Sequence, residues 1–183
     1  ILCNEQANGF NPSDVRNTTF KIMLGQVRAY IVLSEAIFLN HDVGVTVSDY
    51  ENAERRIRYD FFITLFSQFE NAIKIIIRAL PKNEQVKVYK YVENSVNNEF
   101  YDGFNLAKEL RNCIHNNGFY FPNDGRDKAI GFNGNNFDLL YGKAVGFLTW
   151  ELSTDLIVNL IDVLEQVFVK LSIKDVENPI ASV

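Results

Sequence analysis

Apolar residues recur at intervals of three and four along several stretches of the chain, the period of one face of an α-helix. In the first stretch Phe20, Leu24, Val27, Ile31, Ser34 and Phe38 follow this step, predicting a helix from about Asp14 to Leu39 with Ser13 or Asp14 as its cap. The second stripe is Phe62, Leu65, Phe69, Ile73, Ile76 and Leu80, widened by Ile75 and Ile77 into a helix apolar on more than one side. Its start is read at Ser48-Asp49-Tyr50-Glu51, the S-x-x-E spacing of a capping box, and its end before Pro81, which cannot continue the helical ladder. A last stripe, Leu156, Leu160, Val163, Val167 and Leu171, predicts a closing helix capped by Ser153 with Asp155 after it.

Between these stripes the pattern is more broken. Asn40 to Val47 reads as a loop, Lys82 to Glu93 as a short helix, and Asn94 to Tyr101 as a polar connection. Asp102 to about His115 forms a further helix with Leu106, Leu110, Cys113 and Ile114 toward the core, stopped at Asn117-Gly118, where a left-handed residue closes the last turn. After Gly118 the period becomes strand-like: FYFP, KAIGF and NFDLL, with Asn133-Gly134 between the last two. Asn-Gly between β-favouring runs is a hairpin signal because both residues accept positive φ. The expectation is one mainly α domain spanning 1–183, with four to five helices and a small β-hairpin insertion at 119–148 before the last helix. Residues 1–12 form a loose lead-in and 174–183 a tail.

Composition narrows the functional classes. The chain has 183 residues, 47% hydrophobic and 22% charged, which is ordinary for a globular domain and excludes a disordered or fibrous chain. Fifteen Phe and eight Tyr at helical spacing read as core. A net charge of −5 argues against a broad nucleic-acid surface and confines any such contact to a local cleft. Cys3 and Cys113 make no disulfide framework, so a reducing, cytoplasmic location is expected. No apolar run approaches the ~18–20 residues that span a bilayer, so no membrane partner is expected. The chain begins at Ile1 rather than methionine, so a trimmed leader stays open. The His41-Asp42 pair reads as surface loop, and Glu54, Arg55, Arg56 and Arg58 as a solvated charge cluster. Two distant histidines without paired cysteines predict no metal site, and there is no glycine-rich phosphate loop to imply a nucleotide cofactor.

The chemistry is concentrated in the helix ending RNCIHNNG. Arg111 and His115 lie four apart, on one helical face, close to a helix C-terminus that favours cations. A permanently charged guanidinium beside an imidazole suits a phosphodiester: one holds the anion, the other moves protons. Lys108 shares that strip, and Glu70 reads either as a boundary carboxylate or as the partner that orients Arg111.

RNCIHNNG, after a long aromatic-rich helix and before a β segment and closing helix, resembles the HEPN superfamily of higher eukaryote and prokaryote nucleotide-binding domains. That resemblance implies a helical bundle, commonly a homodimer, and in many members a metal-independent endoribonuclease of toxin–antitoxin or phage-defence systems. Arg111 would then bind the scissile phosphate and His115 serve as general acid/base, leaving a 2′,3′-cyclic phosphate. Lys108, Asn112 and Asn116 would contact substrate, Glu70 would support, and no cofactor would be needed. An RNA substrate and a cognate antitoxin or other protein partner are implied likewise. The motif here is Arg-x3-His, against the family's Arg-x4-6-His, and one residue fewer turns the histidine by about 100°. The alternative is a non-catalytic HEPN-like module that dimerises or binds a nucleotide, RNA or protein. A third is a structural helical domain cut from a larger protein.

Overall fold

The computed structural model describes residues 14–39, 46–170 and Val176, apart from the side chains of residues 37–39 and 83. Within them the chain is mainly helical: α1 (Val15–Leu39), α2 (Val47–Ala79), α3 (Val88–Ser95), α4 (Asn98–His115) and α5 (Trp150–Lys170), with strands β1 (Lys128–Phe132) and β2 (Asn135–Leu139) before the last helix. Cys3, His41 and the reading of 40–45 as loop lie outside the described residues. The chain divides into two compact units, residues 1–86 with 172–183, and residues 87–171.

In the first unit α1 packs on α2. Asp14 sits before α1 and accepts the Arg16 backbone N–H at 2.8 Å, the bond expected of an N-terminal cap. The Arg16 guanidinium donates twice to the same carboxylate, and the Val176 N–H adds another bond at 2.8 Å. Both side chains are buried. Burial alone pushes the Asp14 carboxyl up, but the Arg16 and Val176 bonds outweigh it and hold the group below the usual carboxylate range.

Of the stripe assigned to α1, the start holds, and Phe38 lies outside the described side chains. Phe20 is buried, Leu24 and Val27 are half-buried, and Ile31 is 53% exposed beside exposed Val32 and Leu33; buried Met23 takes the inner place the stripe missed. On α2 the apolar face is continuous from Phe61 to Ile77 and includes every stripe position except half-buried Leu80. Tyr30 of α1 stacks edge-on against Phe61 and its hydroxyl lies 3.2 Å from Thr64 Oγ1. The capping box lies two residues before the predicted Ser48/Glu51: Thr46 Oγ1 accepts the Asp49 N–H and Asp49 Oδ2 accepts the Thr46 N–H. Termination at Leu80, extended with ψ 156°, follows Pro81 as expected. Lys82 to Glu84 is a short 3₁₀ turn, and the helix expected at Lys82 to Glu93 starts only at Val88.

In the second unit α4 packs on α5 and β1, and α3 on α5. Most of the expected polar connection is helical, since α4 begins at Asn98. Gly103 makes the packing possible: a Cβ there would lie 2.5 Å from the Asn159 amide and 2.6 Å from the Phe132 ring. Strands β1 and β2 pair antiparallel from Lys128↔Leu139 to Phe132↔Asn135, around Asn133 (φ 48°) and Gly134 (φ 75°) as the Asn-Gly signal predicts. FYFP forms no extended strand; Phe119 makes one isolated bridge to Ala144. Thr149, rather than Ser153, caps α5: its Oγ1 accepts the Leu152 N–H, while buried Ser153 donates back to the Thr149 carbonyl. The α5 stripe from Leu156 to Val167 is fully buried.

Candidate functional site

The last turns of α4 decide where the motif residues point. The helix closes with the Gly118 N–H on the Cys113 carbonyl and the Asn117 N–H on the Ile114 carbonyl, and Asn117 takes the left-handed position at φ 56°. From there the chain turns through Phe119 to Lys128, facing the end of α4 across a cleft of about 810 Å³. Lys108, Asn112, His115 and Asn116 all line it, joined from the far side by Arg126 and Lys128.

Arg111 is not among the lining residues. At about 100° per residue, the lining positions of α4 span an arc that begins at His115, and Arg111 falls about 40° beyond that edge. It is half-buried, with Nη1 donating to Asn112 Oδ1 at 3.2 Å. Thus four of the five motif-face candidates share one wall and the guanidinium stands outside it. Glu70 belongs to the first unit, buried on α2 with Lys74 Nζ 3.9 Å away.

The cleft has an ordered charge pattern. Glu109 Oε1 lies 2.9 Å from Lys128 Nζ and 3.3 Å from Lys108 Nζ, and both ammoniums reach Asn105 Oδ1 at 3.0 Å. Two cations thus share one carboxylate, held between α4 and β1. Arg126 adds a third cation, balanced by Asp124 and Asp127, which accept the Arg126 and Tyr141 backbone N–H groups. His115 is exposed at the rim. Burial, and then the nearby Glu109 charge, push the Tyr120 phenol up to about 12, so it stays a hydrogen-bond donor. The same two causes push the Cys113 thiol up to about 12, so this buried thiol is unsuited to act as a nucleophile.

Sequence reasoning missed Arg126, Lys128 and the rings. Phe119, Phe121 and Tyr141 are 41–51% exposed, against the reading of the aromatics as core. Phe121 lines the cleft, stacks on Phe119 with centroids 6.2 Å apart and meets Tyr141 edge-on. A signal was present: NDGRDK puts two cations directly after a turn, and FYF sets alternate rings on one side of an extended segment.

Among the described residues no group of three or more His, Cys, Asp or Glu is placed to hold a metal, and no helix is long and apolar enough to cross a membrane. No family model, curated protein or solved structure matches the chain.

Proposed function

We propose that the chain is a HEPN-like RNA-binding module whose second unit grips single-stranded RNA in the cleft at the end of α4. The observation carrying this reading is that Lys108, Asn112, His115 and Asn116 line one cleft together with Arg126, Lys128 and Phe121. The ammoniums and guanidinium serve the phosphates, the asparagines give neutral hydrogen bonds to the backbone, and the exposed rings offer faces to unpaired bases. The three cations are matched by three carboxylates, so the cleft has no large positive excess. Weak, salt-sensitive binding is expected. Anisotropy of a labelled single-stranded RNA should rise on titration, and Lys128→Ala with Arg126→Ala should weaken binding at least about tenfold. Unchanged affinity in that double variant would sink the reading.

Cleavage is the second reading, favoured by His115 standing exposed at the rim of the same cleft. There His115 acts as general acid/base on the ribose 2′-hydroxyl and leaving oxygen, and Arg111 binds the phosphate, a role that requires its side chain to swing past Asn112. A homodimer bringing two such helix ends together, with a cognate antitoxin or other protein as regulator, belongs to this proposal. RNA incubated in EDTA should yield 2′,3′-cyclic phosphate ends, and His115→Ala should lower the rate roughly 10²–10⁴-fold. RNA bound but never cut would leave the binding module alone standing.

A further inference from the structure

The segment that leaves α4 buries one tyrosine between two exposed rings. Side chains alternate along Phe119-Tyr120-Phe121 as they do along a strand: both phenylalanines are exposed, whereas Tyr120 is 3% exposed. Its backbone is fixed on both sides, the N–H donating to the Lys143 carbonyl at 3.0 Å and the carbonyl accepting the Gly142 N–H at 2.9 Å. The phenol is thus in place before any ligand arrives. Tyr120 lines the same cleft as Lys108, Lys128 and Phe121.

A buried tyrosine ordinarily gives its O–H a partner. Among the described residues the Tyr120 hydroxyl has none, and its oxygen is not sealed from solvent. The ring is enclosed, and the hydroxyl is left to whatever enters the cleft. Glu109, Asp124 and Asp127 all act on this phenol in the same direction, which favours a neutral acceptor there over a phosphate oxygen.

A bound nucleotide offers its phosphate to the cations and the faces of its base to the exposed rings. Its sugar is left, and the ribose 2′-hydroxyl both accepts and donates a hydrogen bond. Tyr120 supplies a donor. Asp124 and Asp127, in the same cleft, supply acceptors: the Oδ1 of each takes a backbone N–H, and the Oδ2 of each has no hydrogen bond or ion pair among the described residues.

We propose that Tyr120 reads the sugar of the bound strand, its hydroxyl donating to a ribose 2′-hydroxyl that in turn donates to one of these aspartates, so that the cleft selects RNA over DNA. The inference rests on the cleft being a single-strand site. Arg126 and Lys128 then set how tightly a strand is held, and Tyr120 sets which sugar is accepted.

Anisotropy titration of the full chain with one sequence, free of uracil and thymine and made as RNA, as DNA and as 2′-fluoro RNA, tests this. The fluoro strand keeps the RNA-like pucker without the hydroxyl. RNA should bind about three- to tenfold more tightly than either, the span of one neutral hydrogen bond. Tyr120→Phe should lower RNA affinity to that of DNA, with an unchanged thermal midpoint because the lost hydroxyl has no partner in the protein. Equal binding of RNA and DNA, 2′-fluoro RNA binding as RNA does, or a preference that survives Tyr120→Phe would each overturn the inference and leave the cleft a strand site. Binding of no strand at all would overturn both.

Discussion

The two units use their carboxylates in opposite ways. In the first, Asp14 is sealed away and fully occupied, taking Arg16 on both oxygens and the Val176 N–H as well. In the second, Asp162 on α5 is half-buried and its side chain has neither a hydrogen bond nor an ion pair among the described residues. The same chemical group is a fastener in one place and an open valence in the other. Glu109, a paired acid of the second unit, serves to hold two lysines at a cleft rather than to close a core. Where such charge is satisfied internally it fastens the fold; where it is not, burial works against it.

Asp14→Ala strikes hardest at the fastened half. It orphans a buried guanidinium and a backbone N–H, so a loss of about 3–5 kcal/mol is expected in urea denaturation. A loss under about 1 kcal/mol would erase the contrast. Gly103→Ala probes the other half, forcing a methyl into the Asn159 amide and the Phe132 ring, and should cost about 1–3 kcal/mol by overpacking. Asp162→Asn sharpens the contrast from the opposite side: it removes a charge that burial opposes, and should leave stability within about 0.5 kcal/mol or raise it.

Titration separates the two acids by sign. The Asp14 carboxyl is lowered in the fold, so its stabilisation is present above the ordinary value of 3.8 and is lost as pH falls below it. The Asp162 carboxyl is raised, so its penalty is full at neutral pH and is relieved as pH falls toward 3.8. Difference curves of stability against pH for Asp14→Asn and Asp162→Asn should slope oppositely. Parallel curves would refute the assignment. The smallest effect concerns Cys113: its thiol, buried and pushed up to about 12, should resist maleimide at pH 8 in the native protein and react on unfolding.

Much of the helical layout was legible in the sequence because it rests on local rules. The stop at Pro81, the Asn133-Gly134 turn and the stripe from Leu156 to Val167 depend only on neighbouring residues or one periodic face. The errors came where two local solutions compete. Ser48/Glu51 and Thr46/Asp49 both have capping spacing, and only the placement of the helix start tells them apart. Ile31 fits the stripe of α1, yet lies on solvent, since periodicity does not say where the covering neighbour ends. At the site, helical spacing put Lys108, Arg111 and His115 on one strip, and of these Lys108 and His115 line the cleft, together with Asn112 and Asn116. Arg111 misses that wall by a rotation of tens of degrees, and Arg126 and Lys128 arrive across a loop and strand that no helical spacing connects.

The bond from Val176 to Asp14 also bears on how the protein is made. It joins residues 162 apart, and everything in the second unit lies between them. A ribosome delivers the entire second unit before Val176 emerges, so α1 and α2 must wait, unlatched, while residues 87–171 already have what they need to collapse. Domains usually complete in order from the N-terminus. For the start of α1 that order cannot hold, because the residue that latches Asp14 is made after the whole second unit. Pulsed hydrogen exchange on stalled nascent chains should accordingly find α4 and α5 protected before the start of α1.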